Sequence, residues 1–322
     1  MRAIVTGCHG FIGYNLSKKL KELNWQVIGI DDLSSGLAEN RVAGFEYIHE
    51  KIQNRVKMAE ILGDFRPNAI FHLAAIPRVG YSVENPFDTT EANVLGTVSL
   101  LEGIVKSGLV EQTRFVMSSS SSVYGGAELR PTPEDYAANP RSPYALQKYQ
   151  DELWVKMFVE LYGLDALTLR YFNVFGPHAI FGGAYSTVLT AWFYHLYVRP
   201  DYQPYLEGDG SQSRDFCFVD NVIQANVLAA TRERPFSGQP INVAQGKAHT
   251  LLEVKEMLEE ISGRELHLEK RPPRVGDVDH TLADISRAKE ELGYAPSTDF
   301  LNQLAIMAEW YRTSYPDMNR NA

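Results

Sequence analysis

The segment Thr6-Gly7-Cys8-His9-Gly10-Phe11-Ile12-Gly13 constrains this chain more than any other. It places three glycines in the spacing G-x-x-G-x-x-G, where a short apolar run, Ala3–Thr6, meets a stretch of helical period, Gly10–Leu23. Glycines at such a junction permit a tight turn, let the backbone approach a pyrophosphate, and pack the helix against the strand. The helix N-terminus then faces the phosphates. A second run, Gln26–Ile30, ends in Asp31-Asp32, with Asp31 18 residues after Gly13. A carboxylate there accepts hydrogen bonds from the adenosine ribose hydroxyls, whereas a 2′-phosphate requires an arginine, so the pattern points to NAD rather than NADP. Cys8 and His9 are expected to contribute backbone only. A glycine-rich turn beside a solvated acidic pair is the competing reading of these residues alone.

Short apolar runs continue at Phe45–Ile48, Ala69–Leu73, Arg114–Met117 and Ala166–Arg170, separated by helical patterns at Val56–Phe65, Asn93–Ser107, Pro143–Tyr162 and Asp220–Arg232. Strands alternating with helices imply βαβ units and a parallel sheet covered on both faces. From about Asn173 the regularity gives way to Gly/Pro punctuation, with short segments at Pro204–Glu207 and Pro240–Val243 and a helix near Leu251–Ser262. The expected architecture is therefore α/β. A nucleotide-binding domain spans residues 1–172, with returning segments near 220–246, and a smaller interleaved lobe occupies most of 173–322.

Composition narrows the partners. The 322 residues carry 31 Lys and Arg against 40 Asp and Glu, a net charge of −9 that argues against nucleic acid or an anionic membrane surface. Two cysteines cannot build a disulfide framework or a four-thiolate metal site, so no metal is expected. A reducing, cytoplasmic setting is the simplest expectation, since neither a membrane span nor a signal peptide is legible.

Ser142-Pro143-Tyr144-Ala145-Leu146-Gln147-Lys148 reads as an N-cap, a proline at the first helical position, and a Tyr–Lys pair four residues apart on one helix face. A free tyrosine titrates near ~10, so a base useful at neutral pH needs a drop of roughly 3 units, about 4 kcal/mol. A nearby ammonium is one source of that drop. Upstream, Ser118-Ser119-Ser120-Ser121-Ser122-Val123-Tyr124-Gly125 directly follows the run Arg114–Met117. The carboxyl end of a parallel strand is where open α/β sheets place ligands.

Together these features resemble the extended short-chain dehydrogenase/reductase family and its nucleotide-sugar epimerase branch. The resemblance extends to His72-Leu73-Ala74-Ala75, Asn93, Arg170-Tyr171-Phe172-Asn173, Gly208-Asp209-Gly210, Ser213-Arg214-Asp215-Phe216 and Arg274-Val275-Gly276-Asp277. It implies a Rossmann-type doubly wound sheet and a catalytic set of Ser120, Tyr144 as base and Lys148. It further implies cofactor contacts from Gly7, Gly10, Phe11, Ile12, Gly13, Asp31, Ile52, Leu73, Ala74, Ala75, Asn93, Ser118, Tyr144, Lys148 and Tyr171. Substrate contacts are implied for Ser120, Tyr144, Asn173, Arg214, Arg274, Asp277 and Thr281. Lys51-Ile52 departs from the Asp-Ile that many relatives carry beside the adenine. Ser121 and Ser122 stand where related 4,6-dehydratases carry Asp and Glu, which removes the acid and base of an elimination.

The activity so implied is reversible, NAD-dependent 4-epimerisation of a UDP-hexose through a transient 4-keto sugar and bound NADH. The C-terminal wording most resembles bacterial UDP-N-acetylglucosamine 4-epimerases of surface-polysaccharide pathways, and the small Thr281 matches the family position beside the sugar's 2-substituent. UDP-glucose/UDP-galactose and UDP-glucuronate stay open as substrates, as does a catalytically silent NAD-binding regulatory protein. The resemblance also implies a homodimer built on helices 93–107 and 143–162. Leu100, Leu101, Ile104, Leu153, Met157 and Leu161 offer its apolar positions, although some of these must pack on the chain's own sheet.

Overall fold

The computed structural model describes residues 1–183, 186–272 and 278–315. Seven strands form the central sheet: β1 (Arg2–Thr6), β2 (Gln26–Asp31), β3 (Glu46–His49), β4 (Ala69–His72), β5 (Arg114–Ser120), β6 (Ala166–Tyr171) and β7 (Ser237–Val243). Their order is β7-β6-β5-β4-β1-β2-β3, and every neighbouring pair is parallel. The strand order reverses between β1 and β4, so a crevice opens there at the carboxyl ends of the strands.

Successive strand residues serve opposite faces, and here both faces are covered. Ala3, Val5, Phe71, Val116 and Leu167 enter one apolar layer, while Ile4, Ile70, Phe115 and Met117 enter another. Helices α1 (Phe11–Glu22) and α5 (Val219–Thr231) close the first layer through Leu16, Leu20, Val222 and Ala225. Helices α2 (Arg55–Phe65), α3 (Gly96–Lys106) and α4 (Pro143–Tyr162) close the second through Met58, Leu62, Leu100, Ile104 and Val155. This is why the strand sequences read as unbroken apolar runs rather than alternating ones.

Beyond the sheet, the chain pairs Val174–Phe175 with Cys217–Phe218, Ser213–Asp215 with Ala248–Thr250, and Tyr205–Glu207 with Glu269–Arg271. Helices Val188–Tyr197, Ser286–Leu292 and Phe300–Thr313 join Leu251–Ser262 there, three more than the sequence reading foresaw. Val188–Tyr197 is apolar on nearly every side because it lies against an aromatic layer that includes Phe193, Tyr197 and Tyr311, which leaves little amphipathic signature. Phe300–Thr313 did carry one, with Asp299 as N-cap and Phe300, Leu304, Met307 and Tyr311 buried. No helix among the described residues is long and apolar enough to cross a membrane.

Two expectations change. Leu100, Leu101 and Ile104 are fully buried in the chain's own core and are not available to a partner. Leu153, Met157 and Leu161 do lie exposed along α4, beside Leu146 and Trp154. The second change concerns the serine run, since β5 extends through Ser118 and Ser119 to Ser120, all paired to β6.

The registration of α4 on the sheet is fixed by charge. Arg170 on β6 grips Glu152 on α4 with two hydrogen bonds, Nε to Oε1 at 2.9 Å and Nη2 to Oε2 at 2.6 Å, and Ser119 Oγ donates to the same Oε1 at 2.5 Å. All three side chains are buried. Removing one member of a buried, bidentate pair strands the other charge in a low dielectric. Glu152→Ala is therefore expected to destabilise the protein by about 3–5 kcal/mol, read as a lowered midpoint of urea unfolding.

Candidate active site

The glycine turn is built as the sequence required. Gly7 has φ +70°, and a Cβ there would meet the backbone nitrogen of Ala74 at 2.7 Å. A Cβ on Gly13 would overlap the Gly7 carbonyl outright. Gly10 caps α1 and lines the crevice, where a Cβ would meet only the Gly7 carbonyl, at 3.2 Å. Both Asp31 oxygens accept backbone amides, Oδ2 from His9 and Oδ1 from Leu33 at 2.9 Å each, which aims the carboxylate at the crevice that it lines. Each oxygen keeps a lone pair for a ribose hydroxyl. Ile52 lines the same crevice and is backed by Gly96, whose Cβ would strike the Ile52 side chain at 2.5 Å. The cradle, the helix N-terminus and the carboxylate thus fit a dinucleotide with unmodified adenosine ribose.

One continuous crevice is lined by Gly7, Gly10, Phe11, Ile12, Gly13, Asp31, Ile52, Leu73, Ala74, Ala75, Ser118, Ser120, Tyr144, Lys148 and Tyr171, all singled out from the sequence. His9, expected to contribute its backbone, lines it too, as do Asn40, Gln53, His178 and Ile180, which were not foreseen. Gln53 and Glu50 line it on either side of Lys51-Ile52, whereas Lys51 does not. Nothing in a single sequence distinguishes these loop positions from other polar turns.

Asn93 does not line the crevice. A π-helical turn, Glu91–Leu95, precedes α3 and carries the Asn93 carboxamide toward the chain that follows β4. Its Oδ1 accepts from the Ile76 amide at 2.7 Å, and its Nδ2 donates to Gln147 on α4 at 2.9 Å. Asn93 is therefore a strut for the crevice wall and not part of its lining.

At the crevice floor, Lys148 Nζ donates to the Ser118 carbonyl at 3.0 Å, and Ser118 Oγ donates to the His72 carbonyl at 2.9 Å. The Ser120 hydroxyl accepts from the Ser122 amide at 3.2 Å, capping the short turn Ser121–Tyr124. Tyr144 begins α4 with its amide bonded to Ser82 Oγ at 3.1 Å. Burial disfavours the charged form of Lys148 and lowers its pKa, which the nearby carboxylates of Asp151 and Glu152 oppose. His72 is pushed down to about 3 by burial and by the Lys148 charge, so its ring is neutral. Thr97 gives its proton to the Asn93 carbonyl, so the ring donates from Nε2 to Thr97 Oγ1 and accepts at Nδ1 from Thr6 Oγ1.

The expected substrate residues fall in two groups. Asn173 lies two residues beyond Tyr171, with φ +33°, and its Nδ2 donates to Thr281 Oγ1 and to the Asp215 carbonyl at 3.1 Å each. The Asp215 amide donates to the same Thr281 oxygen at 3.1 Å, so Thr281 fixes the Asn173 carboxamide. Arg214 Nη1 donates to the carbonyls of Ser213 and Asp279. Asn173, Arg214 and Thr281 sit outside the crevice lining. Arg274 and Asp277 lie outside the described residues.

Residues 4–307 match the family described as GDP-mannose 4,6 dehydratase. A UDP-glucose 4-epimerase of Mycolicibacterium smegmatis is 36% identical over 318 residues, spanning 97% of this chain and 99% of its own. The UDP-N-acetylglucosamine 4-epimerase from Methanobrevibacter ruminantium, solved with UDP-N-acetylmuramic acid, superposes with a TM-score of 0.88 at 34% identity, covering 96% of this chain and 97% of that one. The UDP-glucose 4-epimerase of Thermus thermophilus in complex with NAD gives a TM-score of 0.86 at 28% identity, over 98% and 100% of the two chains.

Proposed function

The chain belongs to the GDP-mannose 4,6 dehydratase family, as an NAD-dependent UDP-sugar 4-epimerase, and from that premise we propose that its substrate pair is UDP-N-acetylglucosamine and UDP-N-acetylgalactosamine. The observation that carries the 4-epimerase reading is the convergence of Ser120, Tyr144 and Lys148 on the crevice that the glycine turn and Asp31 define. Ser121 and Ser122, following Ser120, offer no carboxylate pair for an elimination.

NAD, when bound in the crevice, supplies reversible two-electron oxidation at C4 of the sugar. Tyr144 is the base that takes the 4-hydroxyl proton, directly or through the Ser120 hydroxyl, and gives it back to the same oxygen when the sugar is reduced again. Lys148, held at the Ser118 carbonyl, supplies the positive field that favours phenolate over phenol at Tyr144. Arg214, with Arg274, is proposed for the diphosphate, and Asp277 for the nucleotide ribose. Asn173 positions the sugar.

The N-acetylated sugar is favoured by the size of Thr281. A tyrosine there would fill the space beside a 2-acetamido group, and the threonine hydroxyl in its place holds Asn173 instead. A homodimer is proposed along the exposed Leu146, Leu153, Met157 and Leu161 stripe of α4, with Trp154 beside it. The setting proposed is cytoplasmic.

Light scattering at micromolar concentration is expected to give twice the chain mass, and Met157→Glu to shift it toward the monomer. Tyr144→Phe is expected to lower kcat by at least ~10²-fold, Ser120→Ala less, both with little change in KM, because each acts on the reacting hydroxyl. Ser121→Ala and Ser122→Ala are expected to be mild. The substrate is tested by incubating the protein with UDP-N-acetylglucosamine, UDP-glucose and UDP-glucuronate and identifying products by NMR. In Thr281→Tyr, kcat/KM for UDP-N-acetylglucosamine should fall roughly 100-fold more than for UDP-glucose, since overlap rejects strongly. A proportional loss of both activities removes the support for the N-acetylated sugar.

A further inference from the structure

Asp151 is a buried titratable group for which the mechanism above has no use. It stands one turn beyond Lys148 on α4 and is fully buried. Among the described residues no donor is seated in hydrogen-bond geometry on either carboxylate oxygen. Buried polar atoms are paired in all but a few instances, and a bare carboxylate in a protein core is among the costliest exceptions. The opposite charge that faces it is Lys148, whose Nζ lies 3.8 Å from Oδ2. The Thr97 hydroxyl on α3 is close enough to hold the carboxyl down somewhat, although its proton is shared with the Asn93 carbonyl. Glu152, next along α4, is occupied by Arg170 on β6 and Ser119 on β5. His72 on β4 is neutral. Lys148 is therefore the group that Asp151 can serve.

We propose that Asp151 is a positioning residue of the epimerase, its buried carboxylate being the counter-charge that keeps the Lys148 ammonium at the Ser118 carbonyl. Burial pushes the Asp151 carboxyl up to about 7 and the Lys148 ammonium down, so each group is ionised because the other is. Glu152 adds a smaller share of the same field at Lys148, but its carboxylate is held in place by Arg170 and Ser119. The pair leaves Lys148 with one hydrogen bond to the backbone and one ionic neighbour behind it, and its remaining protons directed to the crevice that it lines. The inference rests on the 4-epimerase reading for its consequence, though not for its geometry.

Removing the Asp151 charge takes away an opposite charge within ~4 Å, which is worth about one to three pH units at the partner. In Asp151→Asn the alkaline limb of the kcat profile, where the ammonium is lost, should move toward lower pH by at least about one unit. Asp151→Glu should restore the limb toward its wild-type position. A purely packing role would lower the amplitude or the unfolding midpoint and leave the limb in place. Asp151→Ala provides a second charge-free variant should the asparagine fail to fold. The Lys148 amine is followed independently by NMR of protein carrying isotope-labelled lysine, assigned with Lys148→Met. An ammonium that titrates at lower pH in the charge-free variants supports the proposal, and unmoved titration in them overturns it. Should the wild-type protein epimerise no UDP-sugar, the functional reading falls while the NMR titration still decides the role of Asp151.

Discussion

The buried fork between Arg170 and Glu152 is the contact on which the working part of the molecule depends. Helix α4 carries Tyr144 and Lys148, whereas Ser118 and Ser120 belong to β5, so the set proposed to react comes from two elements that must be held in one register. Apolar packing alone tolerates a small sliding of a helix over a sheet. The bidentate hydrogen bonds from β6, with Ser119 of β5 on the same carboxylate oxygen, do not. Arg170 also lies over the Tyr124 ring at 4.7 Å, tying the turn after Ser120 to the same fixed point.

A second layer of polar groups shapes the crevice without touching its interior. The neutral ring of His72 joins Thr6 at the end of β1 to Thr97 on α3. Asn93 then links the π-helical turn to Ile76 and to Gln147. Such a turn closes its hydrogen bonds from i to i+5 instead of i to i+4, which shifts the register of the side chains around it. Charge is nearly absent from this layer, and that suits a site whose floor holds a lysine. In a low dielectric every additional charge would be felt by Lys148.

The sugar side of the molecule is held differently. Asp215 accepts the amides of Gln245, Gly246 and Ala283, pinning two separate stretches of chain to one carboxylate. Thr281 and Asn173 hang from the same node. The size of residue 281 and the pose of Asn173 are thus coupled, and a change made for one alters the other.

Local signals in the sequence determined the sheet, the turn and the reacting residues. The G-x-x-G-x-x-G spacing, the carboxylate ending β2, the apolar runs and the Ser-Pro start of α4 each act within a few residues of themselves, so they can be read without knowing what they touch. Other features were decided only by the assembled structure. Leu100, Leu101 and Ile104 follow the same helical period as Leu153, Met157 and Leu161, yet one set fills the core and the other faces outward. Asn93 reads as a cofactor contact, while the fold shows its carboxamide bonded to Ile76 and Gln147. Asp151 reads as one more charge on a helix until the fold buries it and sets it against Lys148. In each case the property belongs to what lies across from the residue in space. Periodicity gives the face on which a side chain stands, but burial and charge depend on the dielectric and the neighbours that distant parts of the chain supply.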